Sequence, residues 1–119
     1  MAILRKHKLV IWPGIIKYSD DAELDYIGNQ SEWDNDADLH SFEYAENDFL
    51  IDSSGNIYSL TKRSNQYLIP EANGDSLSLH EVLGIVKAHA AQKGSCCVAK
   101  LYAPTIRDAF KIVESLNET

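Results

Sequence analysis

At 119 residues the chain has the length of one domain, long enough to bury roughly two-thirds of its unfolded surface in a single core without disulfide or metal staples. Its 45% hydrophobic and 24% charged residues exclude a disordered chain. A net charge of −7 weighs against nucleic acid as a partner of the folded body, because displacing counterions requires a basic stripe.

Arg5, Lys6 and Lys8 precede the apolar Leu9-Val10-Ile11-Trp12. A signal peptide is not expected, since Pro13-Gly14 interrupts the apolar run, Lys17 follows Ile16, and no small-residue cleavage site is present. A membrane span needs roughly 20 apolar residues, so no membrane partner is expected either. Residues 1–11 read as a flexible basic arm and residues 12–119 as one domain.

Gly14 to Tyr18 is β-branched and aromatic, Ser19-Asp20-Asp21 has turn chemistry, and Glu23 to Ile27 alternates polar with apolar, which predicts a hairpin. Ser31 with Asp34 three residues on predicts an N-cap for one short acidic helix carrying Trp33, Ala37 and His40. Asp48 to Asp52 and Ile57 to Thr61 flank a Gly/Asn loop and predict a second hairpin. Tyr67-Leu68-Ile69 predicts a short strand ended by Pro70, with a turn at Asn73-Gly74-Asp75.

Ser78-Leu79-His80-Glu81 is a capping box, and Leu79, Val82, Leu83, Val86 and Ala90 behind it form one apolar stripe up to a C-cap at Gly94. Cys96 to Tyr102 reads as a strand bounded by Pro104. Thr105 caps a last helix with Ile106, Ala109, Phe110, Val113 and Leu116 on one face. The expected fold class is α+β: a hairpin-built antiparallel sheet, two amphipathic C-terminal helices and one short acidic helix.

Short blocks carry a family resemblance: Trp12-Pro13-Gly14-Ile15-Ile16-Lys17-Tyr18, Leu50 to Gly55, Ser78 to Ala90, and Cys96-Cys97-Val98-Ala99-Lys100. The chain resembles a family of short uncharacterised bacterial proteins known only as a domain of unknown function. The resemblance implies a stand-alone bacterial, cytoplasmic domain and supplies no activity and no catalytic residues.

Familiar chemistries find no footing. Asp34-Asn35-Asp36-Ala37-Asp38 opens like a calcium loop, but Leu39 or Ser41 stands where the turn needs Gly, and Ala45 or Asn47 where it needs a bidentate Glu. A solvated acidic face is the simpler reading. His80 and His89 are nine positions apart on one helix at about 100° each, hence on opposite sides. Neither a nucleophile elbow nor a Gly-rich phosphate loop is present, and no cofactor is expected. The cysteines are adjacent and lack zinc spacing, which suits a reducing compartment, the cytoplasm. Catalysis by either would need a neighbouring base that the spacing does not reveal.

The charge distribution is more informative. Residues 1–17 carry four bases and no acid, and residues 18–61 carry twelve acids and no Lys or Arg. Residues 62–119 hold seven bases and six acids. The expected function is therefore a non-enzymatic interaction or regulatory module whose acidic half meets a basic protein surface by electrostatic steering. Trp33, Asp34, Asp36, Asp38 and His40 are the expected contact residues. His40 is the histidine with carboxylate neighbours, and Trp33 is an anchor only if its ring is partly exposed, its ordinary place being the core. A small enzyme or ligand-binding domain, marked by a pocket holding His40, His89 or a cysteine beside a carboxylate, is the alternative. Edge strands leave an oligomer open.

Overall fold

The structure, a computed structural model, describes residues 9–118. In chain order it contains β1 (Gly14–Lys17), β2 (Leu24–Ile27), α1 (Gln30–Asn35), α2 (Ala37–Ser41), β3 (Phe49–Asp52), β4 (Asn56–Ser64), β5 (Tyr67–Ser76), α3 (Leu79–Gln92) and α4 (Ile106–Asn117). The strands form one sheet in the order β2-β1-β3-β4-β5, and every neighbouring pair is antiparallel. This is the α+β architecture that the hairpins predict.

Period-two alternation divides the core between the two faces of that sheet. Ile15, Leu24 and Ile51 pack with Val82, Val86, Phe110 and Val113 of α3 and α4. Their neighbours Ile16 and Leu50 point the other way, with Tyr58, Leu60 and Leu68, onto Trp33 and Leu39 of α1 and α2. The sheet is thus covered on both faces, and the acidic helices are a layer of the fold.

Both long helices start and stop as their sequences dictate. Ser78 and Glu81 bond each other's main chain reciprocally, and Thr105 accepts from the Asp108 N–H. At the end of α3, Gly94 at φ +84° lets its own N–H reach Ala91 O and the Ser95 N–H reach Ala90 O, satisfying two terminal carbonyls.

Three expectations are corrected. The acidic helix is two helices, capped by Asn29 and not Ser31, because Asp36 leaves the helical region (φ −91°, ψ 96°) to end α1 and cap Leu39 of α2. β5 runs through Pro70 and on to Ser76, and the expected turn at Asn73-Gly74-Asp75 is a bulge within it, three residues opposite Ile57 with Gly74 at φ +89°. It is an edge strand, so a residue without an N–H is tolerated where Leu60 and Thr61 bulge opposite Pro70. Cys96 to Tyr102 forms no strand. Cys97 turns left-handed at φ 60°, and the Lys100 and Leu101 N–H groups close a 3-10 turn onto Cys97 O and Val98 O. Ahead of β1, the Ile11 N–H donates to Asp52 (3.1 Å), Ile11 O accepts from the Ser53 N–H (2.9 Å), and Val10 packs on the Trp33 cluster. The arm's basic residues, Arg5, Lys6 and Lys8, lie outside the described residues.

Candidate functional site

β2 is an edge strand, and side chains from three helices close over part of its free side. The Leu24 N–H donates to His89 Nδ1 (3.1 Å), and Leu24 O accepts from Asn117 Nδ2 (3.0 Å). His89 Nε2 completes the triangle with Asn117 Oδ1 at 2.9 Å. An Nδ1 that accepts from an amide carries no proton, so the bonding assigns the neutral Nε2–H tautomer. Four residues further on, the Gly28 N–H is met by Glu32 Oε1 at 2.7 Å. His89, fully buried, is therefore a strap between α3, α4 and the sheet edge.

Beside this edge lies a groove of about 620 Å³, formed by β1, β2, the α1–α2 pair, the loop after α2 and the C-terminal turn of α4. Asp25, Glu32, Asp36 and Asp38 line it from one side, and Glu114 and Glu118 from the other. Tyr18, Tyr26, Phe42 and Tyr44 supply its aromatic surface, and no Lys or Arg lines it. Tyr18, Phe42 and Tyr44 pack on one another, with Tyr18 and Tyr44 parallel at 6.3 Å and Phe42 edge-on to both at 5.8 and 4.8 Å. Phe42 is 49% exposed, so this cluster opens toward solvent.

Neutral groups orient the groove's carboxylates. Asp25 accepts from the Tyr18 hydroxyl (2.6 Å), Asp36 from the Leu39 N–H (3.0 Å), and Glu32 from Gly28. None of the six forms a salt bridge among the described residues, where Lys62 pairs with Glu71 on β4 and β5. Two bases beside it serve the main chain: Lys17 Nζ donates to Tyr18 O and Asp21 O, and Arg63 donates to His40 O and Phe42 O, tying down the end of α2 and the loop after it. Among the described residues, then, no basic side chain lines the groove or pairs with its carboxylates, and the charge of Arg107 acts on its rim at Tyr26.

The tyrosines register that potential. Burial, then the hydrogen bond to Asp25 and its charge, raises the Tyr18 phenol far above its ordinary value. Burial, then the charges of Asp25 and Asp36, pushes Tyr44 up to about 12. Tyr26 is raised by burial and then by Glu114 and Glu32. Elsewhere burial, then Asp52, raises Tyr58, and burial, then Asp34, pushes Tyr67 up to about 12. An unfolded tyrosine ionises near pH 10. Above about pH 10 the folded chain therefore holds more protons than the unfolded one, and stability falls as pH rises. In a titration of tyrosinate absorbance, most of the six tyrosines are expected to ionise in one steep step together with loss of far-ultraviolet circular dichroism. A smooth titration near pH 10 with the fold intact would contradict this electrostatic picture.

The expected contact residues do not form one surface. Asp36 and Asp38 line the groove. Asp34 instead faces a second depression, shared with His40, Glu43, Arg63 and Tyr67, and bonds Tyr67 and Gln30. Trp33 is 0% exposed and donates to Leu68 O at 3.3 Å, so it is a core residue and offers no ring to a partner. His40 is 9% exposed, with Nε2 on Trp33 O (2.8 Å) and Nδ1 accepting the Leu68 N–H (2.9 Å). It too is a main-chain strap. Asp48 and Asp52 are buried as well, Asp48 clamping the Ser19 and Ala45 N–H groups. The sequence reading missed Glu114 and Glu118, which reach the groove through the packing of α4 against β2.

Among the described residues no three His, Cys, Asp or Glu side chains converge to hold a metal, and no helix is long and apolar enough to cross a membrane. Both cysteines are exposed, on the loop after α3.

The sequence pattern of DUF4144, a family described as a protein structure with unknown function, matches residues 12–113. The chain belongs to the DUF4144 family. The NMR structure of a protein from Shewanella amazonensis resembles this DUF4144 chain with a TM-score of 0.67 and 22% identity, covering 98% of each chain. That likeness shows a shared fold. No curated protein matches the chain. The family match spans the blocks from Trp12 on that carried the resemblance, and includes the β1, β2 and α1–α2 walls of the groove.

Proposed function

We propose that this DUF4144 chain is a docking module that takes a cationic, Lys- or Arg-bearing segment of a partner protein in the acidic groove beside β2. One observation carries the reading: six carboxylates from three parts of the chain converge on one concave surface without a basic side chain among them. Ammonium and guanidinium groups are attracted both to such carboxylates and to the faces of aromatic rings like Tyr18, Phe42 and Tyr44. Steering comes from the whole negative field, while the half-exposed Phe42 supplies apolar contact. The free, exposed cysteines fit a reducing compartment, the cytoplasm in this reading.

The enzyme alternative has one supporting feature, the depression that holds His40 beside Asp34. Both nitrogens of His40 are engaged by main-chain groups there, which leaves the ring no free site for proton transfer or a metal.

The test is titration of a fluorescent Lys/Arg-rich peptide into the protein at increasing salt. Exposed charges are screened beyond about 10 Å at 0.1 M salt and about 3 Å at 1 M. The dissociation constant is therefore expected to rise by about tenfold or more between low and high salt. Binding that ignores salt, or that is matched by an acidic peptide of the same length, would overturn the reading.

A further inference from the structure

Resting on that reading, we infer that the occupant lies in the groove as a short extended segment, hydrogen-bonded to the outward main chain of Tyr26. In an antiparallel sheet the N–H and C=O of one residue point to the same side, and the side alternates along the strand. Leu24 turns both groups away from β1, since His89 and Asn117 meet them. The Gly28 N–H turns the same way, onto Glu32. Tyr26 stands between them with the same parity, opposite Ile15 in the β1 register. Its N–H and C=O therefore point off the edge, and no described side chain meets them.

The edge is closed on either side of Tyr26 and open at it. Sheet edges are protected by shortness, by charges or by covering groups, and here side chains cover this four-residue edge at both ends only. The edge keeps a single donor–acceptor pair beside a groove lined by Tyr26 itself. The opening suits one residue of an extended chain, whose N–H and C=O would complete two ladder bonds. The flanking side chains of that segment would then lie near Asp25 and Glu32 on one side and Glu114 on the other. A helix, which satisfies its own main chain, gains nothing from Tyr26. A second copy of this chain would bring the same carboxylates against their equals, and a small polyamine has no amide to match.

Hydrogen exchange of individual amides, read by NMR with and without a saturating Lys/Arg-rich peptide, tests this. In the free protein the Leu24 and Gly28 amides are expected to be protected and the Tyr26 amide open. On binding, Tyr26 exchange slows about tenfold or more, while the other two change little. Methylating the peptide nitrogen that donates to Tyr26 O is expected to weaken binding about fivefold, and methylation elsewhere less. A peptide that binds in a salt-dependent way but leaves Tyr26 exchange unchanged overturns this mode and leaves the docking function standing. Absence of any binding overturns both. A Tyr26 amide already slow in the dilute free protein, or slowed by raising the protein concentration alone, also overturns it.

Discussion

Trp33→Ala is expected to cost about 3–5 kcal/mol of folding stability, the range for removing a large aromatic side chain from a packed core. The ring touches both ends of its layer. Its centroid is 5.8 Å from that of Trp12 and 5.9 Å from that of His40, and its Nε1–H reaches Leu68 O. Deleting it opens a cavity between α1 and the sheet and loosens the ring of His40, which straps α2 to β5. At about 4 °C per kcal/mol, the melting temperature should fall by about 12–20 °C. Trp33→Phe keeps most of the volume and loses the N–H donor, and should cost about 1–2 kcal/mol. If Trp33→Ala melts within a few degrees of the wild type but binds the basic peptide poorly, Trp33 is a contact residue and its assignment to the core is wrong.

Asp52→Ala is expected to be comparably severe for a different reason. This carboxylate is 0% exposed and gathers the Ile11, Ser54 and Asn56 N–H groups, the Asn56 side-chain amide and the Tyr58 hydroxyl at 2.8–3.3 Å. It closes the β3–β4 loop and ties the entering chain to it. That loop has little slack, because Gly55 sits at φ +84° with a would-be Cβ only 2.3 Å from Leu77 O. Alanine would leave several donors without an acceptor, at about 1–3 kcal/mol for each one that water cannot reach. A loss of about 3 kcal/mol or more is expected in urea unfolding. Asp52→Asn retains one oxygen and should fall between. Equal stability of Asp52→Ala and the wild type would show that Asp52 is not the clamp of that loop.

These two positions also mark how far the sequence could be read. Reciprocal caps are local chemistry, so Ser78, Glu81, Thr105 and Gly94 bounded α3 and α4 without tertiary information. The β3–β4 hairpin was equally legible in its alternation and its Gly/Asn loop. Three features were not: neighbours in the fold decide Pro70 and the two buried aspartates, and a left-handed Cys97 decides the segment after α3. Pro70 looked like a strand terminator and is tolerated because β5 is an edge strand. Cys96 to Tyr102 had strand composition, but its amides close a local turn. Asp48 and Asp52 counted toward a surface field, although their oxygens are consumed by buried amides. Composition gives the number of carboxylates in a segment and is silent on which of them cap the main chain. The groove was half visible for the same reason. Asp36 and Asp38 came from the acid-only stretch, whereas Glu114 and Glu118 belong to a segment of nearly balanced charge and gain meaning only where α4 lies along β2.

The central claim, that the groove beside β2 is where a basic segment docks, is tested most directly by moving one charge at a time. Glu114→Lys and Asp75→Lys change the net charge equally, but only Glu114 lines the groove, and Asp75 sits on exposed β5. At low salt, a Lys/Arg-rich peptide should bind Glu114→Lys about tenfold more weakly than the wild type and Asp75→Lys within about twofold. Equal weakening by the two substitutions would mean that net charge, and not this groove, holds the peptide.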